Sequence, residues 1–175
     1  MTIHNPLLRL PLPFRTNIVN HLPTVIRPAL NLVPFKVQKL IVLKLLSAIF
    51  KDAIEDGDFD FLEHRWVKIS IFDLNLHWLL SFNHRQLEMA PADGTIQPEV
   101  VFRATGDDLL LIAGRKEDPD SMFFQRRLLI EGDTELGLEL KNLIDAVELD
   151  DLPTYVHVLI DNLAQFIQHT REQTK

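Results

Sequence analysis

Cysteine is absent from this chain of 175 residues. Its absence excludes disulfide bonds, thiolate nucleophiles and cysteine ligands that the chain itself would supply to zinc or to an iron–sulfur cluster. It fits an intracellular, reducing compartment. The length, together with a hydrophobic content of 46%, predicts one domain with its own core and an appended segment.

Long apolar runs are also lacking. The longest, residues 40–50, covers eleven positions with Lys44 in its middle, whereas a helix that crosses a bilayer needs about 20. A secretory signal is not expected, because prolines interrupt the first 30 residues repeatedly. We therefore expect a cytoplasmic protein that associates peripherally with the inner membrane.

Acidic residues are missing from the first 51 positions, although the chain as a whole carries a net charge of −7. The basic residues of that segment are Arg9, Arg15, Arg27, Lys36, Lys39, Lys44 and Lys51. The segment is therefore cationic, and all 25 acids lie in the rest of the chain. We expect Arg9, Arg15 and Arg27 to contact an anionic membrane surface or an acidic partner. The anionic remainder argues against nucleic acid as a partner.

Six of the ten prolines fall within residues 1–35. Since each proline removes a backbone donor and fixes one dihedral angle, this region is predicted to be an extended, proline-rich arm. Its leucines and Phe14 make it more apolar than a solvated linker. Two interpretations stay open, in which the arm wraps its own domain or docks on a membrane or partner.

The pattern of apolar residues then changes from helical to strand spacing. A period of 3.6 predicts a helix over residues 36–55, and alternation predicts strands around residues 66–72 and 77–82, a short strand at 87–90 and another at 99–105. End signals predict a helix over 107–114, with a helical continuation at 121–126. A strand at 127–131 and amphipathic helices at 133–148 and 153–170 complete the prediction.

No motif in the chain points to catalysis or to metal binding. Gly132 and Gly137 have the spacing of a phosphate-binding loop, but Leu138 and Glu139 stand where lysine and serine or threonine belong. The alternating carboxylates of residues 56–61 lack the glycine and the bidentate acid of a calcium loop. The seven histidines are scattered without a metal-binding pair, so we predict neither a metal site nor a cofactor.

Apolar side chains exceed what one solvated sheet requires, because aromatic residues occur on both faces of the predicted strands. These aromatic residues are Trp66, Phe72, Trp78, Phe82 and Phe102. The excess indicates either a solid core with additional cover or an occupied interior.

The order of elements and turns resembles the sterol-carrier-protein-2-like lipid-binding domain over residues 36–149. The positions that carry the resemblance are residues 100–105, Asp107, Asp108, Gly114, Asp118, Pro119, residues 122–125, residues 128–130, Gly132 and Asp133. The segments "FLEHRW" and "RKEDPDSMFFQRRLLIEGDTELGLELKNLIDAVEL" are similar to a bacterial subgroup of that family, the accessory factors of oxygen-independent ubiquinone biosynthesis. Arg126 and Arg127 favour this subgroup, since the wider family more often has a small residue there.

The resemblance implies an α+β fold, in which a five-stranded, mostly antiparallel sheet is covered by helices and encloses a hydrophobic tunnel. It implies a non-catalytic protein that binds isoprenoid quinone intermediates and presents them to hydroxylation proteins of the U32 peptidase-like family, which carry the iron–sulfur clusters. We expect residues 1–35 to form the arm, 36–149 the lipid-binding domain and 150–175 a helix packed on it.

The lipid-binding side chains are expected on the sheet, on the segment before its last strand and on the helix at 133–148. They are Trp78, Leu80, Phe82, Phe102, Phe123, Phe124, Leu140, Leu143, Ile144 and Val147. Three alternatives remain open: a protein–protein interaction module with a solid core, a general phospholipid or fatty-acid carrier, and an enzyme that uses His77, His84 or Asp108.

Overall fold

Seven helices and five strands make up the parts of the chain that the computed structural model describes, residues 5–146 and 154–174. The helices are α1 (Leu12–Asn31), α2 (Phe35–Ile49), α3 (Lys51–Asp56), α4 (Gly106–Ala113), α5 (Pro119–Phe124), α6 (Thr134–Asp145) and α7 (Thr154–Glu172). The strands are β1 (Val67–Ile71), β2 (Leu76–Asn83), β3 (Gln86–Pro91), β4 (Val100–Ala104) and β5 (Leu129–Gly132). Short 3-10 turns cover Pro6–Arg9 and Asp60–Leu62.

The strands form a single sheet in the order β3-β2-β1-β4-β5. Three of its pairings are antiparallel, and the central β1 and β4 run parallel with Ile69 opposite Phe102. The mostly antiparallel, helix-covered α+β fold is therefore confirmed. Because β4 pairs with β1 rather than with β3, the segment between β3 and β4 has to cross β2 and β1.

Alternation along the strands sends one set of side chains toward the helices. Val67, Phe82, Val100 and Phe102 belong to this set, and all are buried in the main core. Polar interactions dominate the opposite face, where Ser70 Oγ lies 2.9 Å from His77 Nδ1 and the Arg103 guanidinium stacks over Phe72. The main core thus lies on the helix-covered side of the sheet, although Leu79 is also buried on the opposite face.

The expectation of an extended N-terminal arm is wrong, because residues 12–31 form the 20-residue helix α1. Most prolines of this region stand where a helix tolerates them: Pro6 begins a 3-10 turn, Pro11 and Pro34 precede helices, and Pro13 lies in the first turn of α1. Pro23 and Pro28 lie inside the helix, where each removes one backbone hydrogen bond.

The other elements occur in the predicted order with shifted ends. The helix predicted at 36–55 is divided at Phe50, whose φ of −104° and ψ of 24° separate α2 from α3. The strand predicted at 127–131 begins two residues later, because the backbone N–H groups of Arg127 and Leu128 donate to the carbonyl of Met122. The predicted end of the helix at 148 lies outside the described residues.

Helix α7 packs across α4, and a glycine makes the close approach feasible. A Cβ atom placed on Gly114 would lie 2.4 Å from Cβ of Ala164, closer than two carbon atoms can pack. An ion pair of 2.8 Å between Lys116 Nζ and Asp161 also joins the end of α4 to α7. From the N-terminal turn, the side-chain amide of Asn5 donates to the carbonyl of Asn162 on α7 at 2.7 Å. The N-terminal turn and α7 therefore cover the same side of the domain.

Candidate functional site

A cavity of about 800 Å³ lies between the helix-covered face of the sheet and helices α2, α4 and α6. Its volume falls within the range of roughly 300–1,000 Å³ that is typical of small-molecule sites. This space, rather than a cluster of polar groups, is the candidate site. That the cavity continues as a tunnel through the domain stays a prediction.

The sheet contributes one wall of the cavity through side chains that share its helix-facing side. These lining residues are Val67, Ile69, Ile71, Trp78, Leu80, Leu87 and Phe102. Trp78 is fixed by the hydrogen bond from its indole Nε1 to Oε1 of Gln38 on α2, at 2.7 Å. Its only polar atom is therefore satisfied, and its rings offer an apolar surface to the cavity.

The helices contribute the facing walls through residues at helical spacing. Leu109, Ile112 and Ala113 come from α4, and Leu140, Leu143 and Ile144 come from α6. The C-terminal half of α2 adds Val42, Leu45, Leu46 and Ile49. The walls are apolar over the whole contact with sheet and helices, so they suit a ligand that is itself apolar.

Helix α2 separates the cavity from solvent as a thin wall. None of its residues is buried, although Leu45 and Leu46 line the cavity. On its outer side Leu40 is 69% exposed and Ile41 is 59% exposed. Helix α2 is therefore apolar both toward the cavity and toward solvent.

Polar lining side chains are gathered at one end of the cavity. Within the described part of the chain they are Arg115, Lys116, Glu117, Asp118, Ser121, Gln125 and Asp145. The first six belong to the turn between α4 and α5 and to α5 with its C-cap, and Asp145 is the last residue of α6. The cavity thus has an apolar body and one polar end.

Six of the ten residues that were predicted to bind lipid line the cavity: Trp78, Leu80, Phe102, Leu140, Leu143 and Ile144. Phe82 lies one layer behind, with its ring 5.4 Å from that of the lining residue Phe59. Val147 lies outside the described residues. Lipid contact by these side chains stays a prediction, since the structure fixes only their positions.

Phe123 and Phe124 are not among the lining residues of the cavity. Their side chains are 41% and 81% exposed, and the two rings contact each other edge to face at 5.9 Å. The short helix α5 turns Met122 into the core and Pro119 and Ser121 toward the cavity, which leaves its last two positions facing solvent. The expectation that the pair walls the interior therefore does not agree with the geometry.

The three arginines predicted to contact a membrane occupy different environments. Arg27 is exposed on α1, and Arg9 ends the first 3-10 turn. Arg15 is only 7% exposed and donates from Nη2 to Oε1 of Gln173, the residue directly after α7. Arg15 therefore joins α1 to α7 instead of offering its charge to a surface.

The candidate catalytic groups do not converge on the cavity. His84 lies in the exposed turn between β2 and β3, and His77 is on the opposite face of the sheet beside Ser70. Burial lowers the pKa of His77, and the charges of Lys68, Arg103 and Arg27 lower it further. A neutral imidazole paired with Ser70 is a structural contact of the sheet.

Asp108 is buried at the centre of an ion-pair cluster. Its Oδ1 accepts from Nη2 of Arg127 at 2.5 Å and from Nη1 of Arg171 at 2.8 Å. Burial opposes its ionisation, but the hydrogen bonds from Arg171, Arg127 and Thr105 prevail and lower its pKa. Asp108 therefore stays charged and bound to its partners, a role in stability rather than proton transfer.

The described segments hold neither a metal-binding cluster nor a membrane-spanning helix. No group of three or more His, Cys, Asp or Glu side chains there is arranged to hold a metal ion. None of the helices described combines the length and the apolar content needed to cross a bilayer.

Sequence reasoning missed two parts of the site. The first is the lining by α2, for which the wide apolar arc of that helix was a usable signal. The second is the polar end, residues 115–125, which the sequence presents as an ordinary acidic turn. Nothing in the linear pattern shows that this turn borders an apolar cavity.

A second hollow, of about 650 Å³, lies between the start of α1 and the end of α7. Its lining includes Thr16, Asn17, Asn20, His21 and Gln173. These groups are well solvated at the surface, so the hollow does not suit an apolar ligand.

A five-stranded mixed sheet that is covered by helices and borders an apolar cavity defines the chain as a small α+β domain with the sterol-carrier-protein-2-like fold. Residues 43–145 match the family described as the SCP-2 sterol transfer family, and the chain belongs to it. The resemblance noted from the sequence is thereby confirmed.

Relatives and a solved structure agree with this membership. The "Ubiquinone biosynthesis accessory factor UbiT" of Escherichia coli strain K12 is 42% identical over 154 residues, which is 88% of this chain and 87% of that protein. Proteins of the same name from Escherichia coli O6:H1 and O157:H7 match equally well. The solved structure "UbiJ-SCP2 Ubiquinone synthesis protein" has a TM-score of 0.52 at 16% identity and covers 64% of this chain and 97% of its own, so it supports the fold.

Proposed function

We propose that this protein is a non-catalytic lipid-binding accessory factor of oxygen-independent ubiquinone biosynthesis. In this role it binds isoprenoid quinone intermediates and presents them to the proteins that hydroxylate them. The observation that carries the proposal is the apolar cavity of about 800 Å³ in a chain 42% identical to a ubiquinone biosynthesis accessory factor.

The hydrophobic effect is sufficient to hold a prenyl chain in such a cavity. Each buried methylene contributes about 0.8 kcal/mol, so ten of them offer roughly 8 kcal/mol before the costs of association. The contribution has no direction, so no polar constellation is needed along the chain. This agrees with walls built from leucine, isoleucine, valine and aromatic side chains.

The proposal includes a division of labour between this protein and its partners, and the composition agrees with it. Hydroxylation without oxygen requires redox chemistry, and this chain has no cysteine with which to hold an iron–sulfur cluster. We assign that chemistry to partner proteins of the U32 peptidase-like family. The present protein would supply the bound, shielded substrate.

Peripheral contact with an anionic membrane is part of the same proposal. Apolar side chains are exposed on α1 at Phe14 and Val25, at its C-cap residue Leu32, and on α2 at Leu40 and Ile41. Exposed Arg27, Lys36 and Lys44 accompany them, and residues 1–51 contain no acid. Each basic group near an anionic surface contributes about 1 kcal/mol, and the apolar groups add burial at the interface. Because α2 also lines the cavity, the ligand would have a short path from bilayer to interior.

Organic extraction of the freshly purified protein, followed by mass spectrometry, tests the proposal. We expect prenylated aromatic lipids to be enriched over the lipid composition of the host membrane. Recovery of no such lipid, together with no binding of an added prenylphenol, would leave the interaction module with a solid core as the better account.

A further inference from the structure

The polar end of the cavity, unlike its apolar body, can distinguish ligands by their polar head groups. An amphiphile bound with its chain in the body has to place its head near residues 115–125 and Asp145, where the polar lining is gathered. The charge and hydrogen-bonding capacity of this end therefore decide which heads are accepted.

The charges at this end favour a head without negative charge. Among the lining side chains Arg115 and Lys116 are basic, whereas Glu117, Asp118 and Asp145 are acidic. The ammonium of Lys116 pairs with Asp161 at 2.8 Å, outside the set of lining residues. Glu117 pairs with Arg127, and Asp118 accepts the backbone N–H of Ser121 at 2.8 Å as the N-cap of α5.

Neutral hydrogen-bonding groups stand beside these charges. Gln125 is the exposed C-cap of α5, and its Oε1 lies 3.5 Å from Arg127 Nη1, a distance at which the bond is weak. Gln125, which carries a side-chain amide, and Ser121, which carries a hydroxyl, are both lining residues of the cavity. Groups of this kind pair with a hydroxyl or carbonyl without requiring the burial of a net charge.

We propose that the cavity selects amphiphiles with an uncharged polar head, such as a phenol or an alcohol, and discriminates against carboxylate and phosphate heads. This inference rests on the proposed function and narrows its substrate class to the neutral prenylated ring compounds. An anionic head would lose hydration on entering a region with more acidic than basic lining groups, where the ammonium of Lys116 is already paired with Asp161. A neutral head loses less hydration and finds donors and acceptors in place.

Four ligands that differ in pairs test the inference. Oleyl alcohol and oleic acid share one chain, while geranylgeranylphenol and geranylgeranyl-4-hydroxybenzoic acid share another. Trp78 lines the cavity and serves as a fluorescent reporter when the second tryptophan is replaced, W66F. At pH 8 we expect each neutral compound to bind at least about tenfold more tightly than its acid, a difference that corresponds to about 1.4 kcal/mol.

Charge variants at the polar end of the cavity provide a second test of the inference. Asp145→Lys and Gln125→Lys each place a cation at the rim, and we expect each to raise the affinity for oleic acid about tenfold while leaving oleyl alcohol nearly unchanged. Asp56→Lys is the matched control, because Asp56 is also the exposed last residue of a helix and is not among the lining residues. It should change neither affinity.

The outcomes separate the inference from the proposed function. Equal affinity for acids and neutral compounds, or tighter binding of the acids, overturns the proposed selection of uncharged heads. Binding of the prenylphenol would still support the accessory role in that case. Selective binding of oleyl alcohol with no binding of either prenyl compound supports head selection and overturns the prenyl substrate. Binding of none of the four overturns both, and an effect of Asp56→Lys equal to that of Asp145→Lys overturns the placement of the head.

Discussion

Asp108 links three separate parts of the chain through its carboxylate. It lies in the first turn of α4, Arg127 precedes β5 and Arg171 lies in the last turn of α7. A buried carboxylate is stable only while such partners remain, so the cluster couples the position of α7 to the core. The sequence suggested Asp108 as a conceivable catalytic acid, whereas its environment identifies it as a structural group.

Substitution Asp108→Asn should destabilise the protein by about 2–3 kcal/mol at pH 7, because both guanidinium groups lose the negative charge of their shared partner and keep only a neutral amide oxygen. Removing one partner of a fully buried ion pair costs roughly 3–5 kcal/mol in the free energy of unfolding. The cost expected here is smaller, because the side chains of Arg127 and Arg171 are 26% and 32% exposed. Urea denaturation measures the difference. Asp120→Asn, which removes the half-exposed partner of Lys141, is the control and should cost less than about 1 kcal/mol.

The same variant should change how stability depends on pH. Since the folded-state pKa of Asp108 is lowered, its stabilising contribution is complete above the unfolded value of about 3.9 and is lost as the pH falls through the folded value. The wild type should therefore lose stability on acidification below about pH 4, and Asp108→Asn should lose less. Burial raises the pKa of the neighbouring Asp107, so protonation of Asp107 favours the folded state as the pH falls and opposes the effect of Asp108. Identical acid slopes for the two proteins would show that the cluster is not coupled to folding.

Helix α1 shows how proline content can mislead at the scale of one element. A count of prolines predicted an extended arm, but four of those six prolines occupy helix starts or caps where no backbone donor is needed. Pro23 and Pro28 are inside the helix, and the contacts of α1 with α7 offset the free-energy cost of the backbone hydrogen bonds that these two prolines remove. Position within an element, rather than number, determines what a proline does.

The packing of α7 on α4 should depend on the small residues at their crossing. Gly114→Ala introduces a methyl group where Ala164 already lies, and we expect a loss of about 1–3 kcal/mol in the free energy of unfolding. Ala164→Gly in the same chain removes the opposing methyl and should restore part of that loss, since a glycine inside α7 itself costs roughly 0.5–1 kcal/mol. A double-mutant cycle from denaturation curves gives the coupling energy. Additive effects of the two substitutions would mean that the helices do not meet at this point in solution.

The surface formed by α1 and α2 should bind anionic vesicles through charges on both helices. The double substitution Arg27→Glu with Lys44→Glu should weaken cosedimentation with phosphatidylglycerol vesicles at low salt by at least tenfold, since each reversal replaces an attraction by a repulsion. The matched control is Arg103→Glu with Arg126→Glu, two exposed arginines outside these helices. Equal loss in both double variants would indicate a response to net charge alone, and no loss in the first would remove α1 and α2 from the interface.

At the scale of the whole molecule, the sequence predicted element order and fold class well. Periodicity and helix-end signals are local properties, so the strands at 67–71 and 76–83 and the helix at 134–145 follow from periodicity, and the helix at 106–113 follows from its end signals. Which side of a short helix faces inward depends on packing, and this is why Phe123 and Phe124 were misplaced. The polar end of the cavity depends on contacts between residues far apart in sequence, such as Lys116 with Asp161, and no local pattern encodes it.

The central claim is that the interior between sheet and helices is hollow and serves to hold a prenyl chain. Leu80 lines that space, whereas its neighbour Leu79 is fully buried on the other side of β2. Leu80→Trp should fill part of the cavity with a change in stability below about 1 kcal/mol, while Leu79→Trp should cost about 1–3 kcal/mol or more because it overpacks a filled region.

The most direct measurement is the amount of prenylated lipid extracted per mole of purified protein, determined by mass spectrometry for the wild type and for Leu80→Trp. We predict that the wild type retains prenylated aromatic lipid and that folded Leu80→Trp retains at least tenfold less, a factor equivalent to about 1.4 kcal/mol. Equal retention by a Leu80→Trp protein of unchanged stability would contradict the claim that the chain is held in this cavity.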